Sequence, residues 1–125
     1  KVMFKQFIEN RSLDYCQIDS CRIASINEII PVLLMASKFN VPVIPHAGGV
    51  GLCEYVQHLN LINKFIITNN DLSLSEYAES CAEHFENPAI IKNGGYVTPT
   101  EPGYSVRIKE SSLKEFDFNN GKYWN

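Results

Sequence analysis

The stretch Val41-Pro42-Val43-Ile44-Pro45-His46-Ala47-Gly48-Gly49-Val50-Gly51 combines a short apolar run, a titratable residue where the run stops, and a glycine-rich turn. An apolar run of this length bounded by turn residues reads as a buried strand. The glycines then open a helix in which Leu52, Tyr55, Val56, Leu59 and Leu61 recur at helical spacing. Residues 41–61 therefore predict one strand-to-helix unit. The glycines have two readings, a backbone path close to a ligand anion at a helix N-terminus or simply a tight turn, and both stay open.

The same rhythm extends on either side. Upstream, Asp14-Tyr15-Cys16-Gln17-Ile18-Asp19 predicts a buried strand ending in an acid. Between the two strands, Ser25-Ile26-Asn27-Glu28 fits a capping box, with Ser25 as N-cap and Glu28 reaching back. Ile26, Ile29, Ile30, Leu33 and Leu34 carry that helix to Phe39, although Pro31 removes a backbone donor and should bend its first turns. Phe4, Phe7 and Ile8 predict a helix over 1–10. Downstream, Phe65-Ile66-Ile67-Thr68 predicts a third strand, and a helix is expected over 75–85. From Asn87 the composition shifts toward Pro, Gly and Tyr. There Ile90, Ile91, Tyr96 and Val97 suggest short strands, and 99–125 reads as an extended tail.

Alternating strands and helices imply parallel βα units. Three parallel strands alone would leave both sheet edges unpaired and both faces in need of cover. The expected fold is accordingly α/β, the last three βα units of a (β/α) TIM-type barrel followed by a C-terminal tail. A small doubly wound sheet is the alternative, but no G-x-G-x-x-G run follows a strand.

Composition narrows the functional classes. A chain of 125 residues holds one domain at most. It opens on Lys1-Val2-Met3-Phe4, in what reads as mid-helix, so a longer parent protein is expected. Net charge is −3, which gives no electrostatic reason to expect nucleic acid or an anionic membrane as partner. No apolar run is long enough to span a bilayer, and no basic leader with an apolar core is present. Cys16, Cys21, Cys53 and Cys81 are sparse for a disulfide scaffold, and no second close Cys/His pair completes a zinc pattern. Reduced, mostly buried thiols in a reducing, intracellular compartment are expected.

In βα barrels, reactive side chains project from the carboxyl ends of strands. Asp19 ends the first strand, His46 ends the second, and Asp71 and Glu76 follow the third. A carboxylate on one imidazole nitrogen fixes the tautomer and leaves the other nitrogen free to trade protons. Asp19 and His46 on adjacent strands are the expected pair, although either alone reads more often as a cap or a satisfied turn residue. Ser20 and Arg22 are candidates for binding an acidic substrate, with Arg22 equally a surface ion pair. His58 and His84 read as packing residues without a chemical role, and Trp124 and the tyrosines as anchors for the tail.

The runs Gln17-Ile18-Asp19-Ser20-Cys21-Arg22 and Pro45-His46-Ala47-Gly48-Gly49-Val50-Gly51-Leu52-Cys53-Glu54 closely resemble the C-terminal portion of the L-fuconate dehydratase group, mitochondrial relatives included. That group lies in the mandelate racemase-like branch of the enolase superfamily. The resemblance extends through Pro102-Gly103-Tyr104-Ser105 to Gly121-Lys122-Tyr123-Trp124. It implies a two-part enzyme, a capping domain and a barrel, with barrel strands six to eight in 1–86 and a tail over 87–125 packing on barrel and capping domain. It implies an Asp19–His46 dyad, and a Glu76 that hydrogen-bonds the substrate carboxylate and works best with a raised pKa. It also implies Mg2+ as cofactor in the intact enzyme, with the metal ligands and a lysine base upstream of Lys1 and no metal ligand in this chain. The implied reaction removes the proton α to a carboxylate and eliminates the 3-hydroxyl, giving a 2-keto-3-deoxy acid. The implied partners are a small-molecule acid sugar and the missing N-terminal part of the same protein, with homo-oligomerisation left open and a mitochondrial or cytoplasmic location. The competing expectation is a truncated or pseudoenzyme barrel segment acting as a non-catalytic interaction module.

Overall fold

The two strands expected at 14–19 and 41–45 lie side by side and parallel, with Cys16 opposite Val43 in a computed structural model that describes residues 1–69, 73–78 and 80–124. Cys16 N–H donates to the Pro42 carbonyl at 2.8 Å, Ile44 N–H to the Cys16 carbonyl at 3.0 Å, and His46 N–H to the Ile18 carbonyl at 2.8 Å. Pro42 and Pro45 have no N–H to offer. The pairing takes its donors on this strand from Ile44 and His46, so the prolines cost it nothing.

Helix α1 (Val2–Glu9) packs on α2 (Ile26–Lys38), and the strand pair shares their core. Ile8, Cys16, Ile18, Ile29, Val32, Leu33, Ala36 and Val43 are buried together with Leu59 of α3 (Leu52–Ile62). Fully burying an aliphatic side chain contributes about 1.5–3 kcal/mol, so this apolar face outweighs the Pro31 defect. Indeed α2 is continuous with Pro31 inside it. Its capping box does not close. Ser25 is the N-cap but makes no side-chain cap bond, and Glu28 turns instead to Lys1 Nζ at 2.6 Å.

The expected third strand is absent. Residues Asn63–Thr68 continue directly from α3 as a π-helix, with Thr68 Oγ1 donating to the Asn63 carbonyl at 3.0 Å. A short apolar run gives the same signal for a strand as for a helical segment. Here no glycine or proline separates it from α3, and helical bonds satisfy its backbone without a neighbouring strand. The helix expected over 75–85 reduces to a 3₁₀ turn at Ala82–His84, and 73–78 are irregular. Side chains from elsewhere hold that backbone: Tyr96 Oη donates to the Glu76 carbonyl at 2.7 Å, and Cys53 Sγ to the Ala78 carbonyl at 3.3 Å. Asp71 lies outside the described residues.

The short strands expected near residue 91 form an antiparallel hairpin of β1 (Ile91–Lys92) and β2 (Gly95–Tyr96). Asn93 (φ 53°) and Gly94 (φ 76°) make its two-residue turn, and paired positive φ values are what a type I′ hairpin requires. Buried Glu54 on α3 anchors this region by accepting the Ala89 N–H at 3.1 Å. The tail is less extended than expected. It forms α4 (Glu110–Phe116) and a 3₁₀ turn at Lys122–Trp124. His58 and His84 tie the tail down through Ser105 Oγ (3.1 Å) and Ser112 Oγ (3.0 Å). Trp124 Nε1 donates to the Phe116 carbonyl at 3.0 Å.

All four cysteines are free. Cys16 and Cys53 are buried, and burial pushes the Cys16 thiol up to about 11. Cys21 and Cys81 are exposed, against the expectation of mostly buried thiols. Among the described residues, no helix is long and apolar enough to cross a membrane.

Candidate active site

His46 is fixed from two directions. Its backbone N–H is held by Ile18 of the neighbouring strand, and its ring folds over Gly48. A Cβ at position 48 would lie 2.6 Å from Cε1 and 3.0 Å from Nε2 of that ring, so only glycine lets the imidazole lie there undisturbed. At the far end of the turn Gly51 has φ +74° and caps α3, with the Phe85 ring 3.1 Å from where a Cβ would stand. The glycine-rich turn thus shapes the site sterically at 48 and conformationally at 51.

The imidazole meets Glu76. His46 Nδ1 lies 2.7 Å from Glu76 Oε2, and the Ala47 N–H donates to the same oxygen at 2.7 Å. Gln17 Nε2, from the neighbouring strand, reaches it at 3.5 Å. A carboxylate facing Nδ1 selects the Nδ1–H tautomer and leaves Nε2 as the atom that can exchange a proton with a bound molecule. The two side chains are 34% and 33% exposed, so the pair is sheltered on one side and reachable from the other.

Glu76 carries a correction. The expected raised pKa is not found: its carboxyl is held below the ordinary glutamate range. The largest cause is the Ala47 N–H, followed by partial burial acting the other way and then by the hydrogen bond and charge of His46. Donors converging on one oxygen favour the carboxylate, which accepts hydrogen bonds rather than donating one to a substrate.

Among the described residues the remaining candidates make other contacts. Asp19 stands one residue beyond Ile18, at the neighbouring strand end, but its carboxylate accepts the Cys21 N–H at 2.8 Å and faces Arg22 Nε at 3.2 Å. Among the described residues no hydrogen bond joins Asp19 to His46. The Arg22 side chain is 87% exposed. The Ser20 hydroxyl is buried and has no hydrogen-bond partner among the described residues. Three participants escaped the sequence reading: Gln17, the Ala47 N–H and Tyr96. Gln17 had a signal, since it lies on the strand whose last residue had been singled out.

No group of three or more His, Cys, Asp or Glu side chains among the described residues is placed to hold a metal ion. His46 and Glu76 already occupy one another, and Asp19 is engaged by Arg22. By themselves the described residues would not hold the magnesium ion that the resemblance implies, whose ligands it places upstream of Lys1.

Comparison with known proteins agrees with the fold. The chain is 51% identical over 125 residues to mitochondrial enolase superfamily member 1 of Xenopus laevis, covering 99% of this chain and 28% of that protein. It is 48% identical over 118 residues to L-galactonate dehydratase of Hypocrea jecorina, covering 94% of this chain and 26% of that one. It superposes on the crystal structure of human mitochondrial enolase superfamily member 1 with TM-score 0.91 at 45% identity, covering 98% of this chain and 28% of the other. The chain thus spans little more than a quarter of the length of these relatives, as the C-terminal part of an enolase-type barrel. The model of the enolase C-terminal domain-like family matches residues 1–112, and the chain belongs to that family.

Proposed function

We propose that this chain supplies the acid–base pair of a sugar-acid dehydratase. The observation that carries the reading is the His46 Nδ1 to Glu76 Oε2 contact at 2.7 Å, with no hydrogen bond to Nε2 among the described residues. Names among the relatives, L-galactonate dehydratase above all, support the substrate class. The mitochondrial names of others support a mitochondrial location. The substrate would be an aldonic acid such as L-galactonate or L-fuconate, and the product a 2-keto-3-deoxy acid. Ligands for magnesium would come from outside the described residues.

The chemistry asks two things of this chain. Hydroxide leaves carbon poorly, so the departing 3-hydroxyl must take a proton as its C–O bond breaks. His46, protonated on both nitrogens, donates that proton from Nε2, and water leaves. Glu76 then faces an imidazole whose charge has just changed. As a carboxylate facing Nδ1 it holds the ring in register throughout. Positional rigidity matters because an ångström of drift in a catalytic group is expensive. The Ala47 N–H and Gly48 both serve it, one by anchoring Glu76 and the other by making room for the ring. Asp19 is proposed as a second acid at the same rim. Ser20 and Arg22 are proposed to meet the acidic end of the substrate.

The test is a chimera in which this segment replaces the matching part of the Hypocrea jecorina protein. The folded chimera should dehydrate L-galactonate or L-fuconate. In it His46→Asn should lower kcat by about 10²–10⁴, the usual worth of a general acid, with KM nearly unchanged. Undiminished turnover by His46→Asn would overturn the assignment.

A further inference from the structure

Glu76 sits on irregular backbone, yet its carboxylate must meet His46 Nδ1 within a fraction of an ångström. Residues 73–78 have neither helix nor strand to fix them. Among the described residues, three side chains from α3 and the hairpin reach this segment. Asn60 Nδ2 on α3 donates to Ser75 Oγ at 2.6 Å, Cys53 Sγ to the Ala78 carbonyl at 3.3 Å, and Tyr96 Oη to the Glu76 carbonyl at 2.7 Å. Of the three, Tyr96 acts on Glu76 itself, at the ordinary length of an O–H···O bond.

We propose that Tyr96 is a positioning residue for Glu76, so that the β1–β2 hairpin sets the geometry of the His46–Glu76 pair. The inference rests on the reading of Glu76 as the carboxylate that orients the imidazole. The phenol is well placed for the task. Its ring packs on the buried cluster of Ala47, Leu52, Cys53, Val56 and Ala89, and edge-on against Tyr77 at 5.8 Å between centroids. Packing fixes the ring, so its hydroxyl points in one direction. Burial also drives its ionisation far above the ordinary tyrosine range, so the hydroxyl stays a donor at any working pH.

The position of that ring is set in turn by the hairpin. Tyr96 is in register with Ile91, and Val97 N–H donates to the Ile90 carbonyl at 2.8 Å. A slip of one residue would turn Tyr96 to the opposite face. The register depends on the Asn93-Gly94 turn, where Gly94 has φ +76° and a Cβ would meet nothing within 4 Å. A side chain at 94 would thus strain the backbone without a clash. The chain of dependence runs from the turn to the phenol, to the Glu76 carbonyl and to the imidazole.

The experiment uses the 125-residue chain labelled with ¹³C-glutamate. The Glu76 carboxyl is titrated by NMR, and hydrogen exchange of the Ala47 amide is followed alongside. In Tyr96→Phe, Glu76 should titrate closer to ordinary glutamate, and the Ala47 amide should exchange up to about tenfold faster, the loss of roughly one hydrogen bond. Tyr104→Phe, whose ring packs on Tyr55, should move neither. Gly94→Val should move both in the same direction as Tyr96→Phe, and it decides the matter should Tyr96→Phe not fold. Unchanged Glu76 titration in folded Tyr96→Phe, or in Gly94→Val with its hairpin amides perturbed, would overturn the proposal. An equal response in Tyr104→Phe would also overturn it. These readouts need no turnover, so an inactive chimera would sink the dehydratase reading while leaving the positioning role intact.

Discussion

Gly48 and Glu76 both bear on the His46 imidazole, and each makes a prediction at the scale of a single residue. Gly48→Ala places a methyl 2.6 Å from His46 Cε1, so the ring must shift and its 2.7 Å contact with Glu76 Oε2 is disturbed. Overpacking of this kind costs about 1–3 kcal/mol, which urea unfolding will read, and the Glu76 titration should shift upward as its histidine partner withdraws. Glu76 also links the site to pH. A carboxyl held below its ordinary value in the folded state stabilises the fold above the unfolded pKa, about 4.3 for glutamate, and the contribution is lost as pH falls through the folded value. The stability difference between wild type and Glu76→Gln should therefore be present at pH 6 and shrink on acidification below about pH 4. Urea midpoints across that range check it, and a difference that grows toward low pH would contradict it.

At the scale of elements, α2 tests the core. Leu33 is fully buried and its neighbour Leu34 is 53% exposed. Leu33→Ala should cost about 2–5 kcal/mol, and Leu34→Ala no more than about 0.5, by denaturant unfolding. This contrast was not legible in the sequence, where Leu33 and Leu34 fall in the same apolar spacing and only packing against α1 and the strand pair separates them. The two parallel strands were legible, each being a short apolar run closed by Asp19 or His46. The run 65–68 was not, since four apolar residues look alike in a strand and in a helix, and here they prolong α3. The irregular 73–78 segment was equally opaque. Its conformation depends on Tyr96 and Cys53, whose side chains reach it from distant parts of the chain and leave no local periodicity. Which carboxylate touches His46 in the structure was hidden on the same account. Asp19 lies on the adjacent strand and was the natural choice, whereas Glu76 arrives along a path that no local signal describes.

At the scale of the whole molecule, the described residues hold the His46–Glu76 pair but no group of three or more His, Cys, Asp or Glu placed to bind a metal ion. The chain spans 28% of the Xenopus laevis relative's length. The 125-residue chain by itself should show no magnesium-dependent dehydration of L-fuconate or L-galactonate, as a direct assay for the 2-keto-3-deoxy acid will show. Clear turnover would mean that a metal site and a base lie within this chain after all.

The pairing of His46 with Glu76 underlies every step, and ¹⁵N NMR of the histidine ring observes it directly. In the neutral ring at pH 8, Nδ1 of His46 should carry the proton and Nε2 should be bare, and Glu76→Gln should erode that preference. A ring protonated at Nε2 and indifferent to Glu76→Gln would contradict the account.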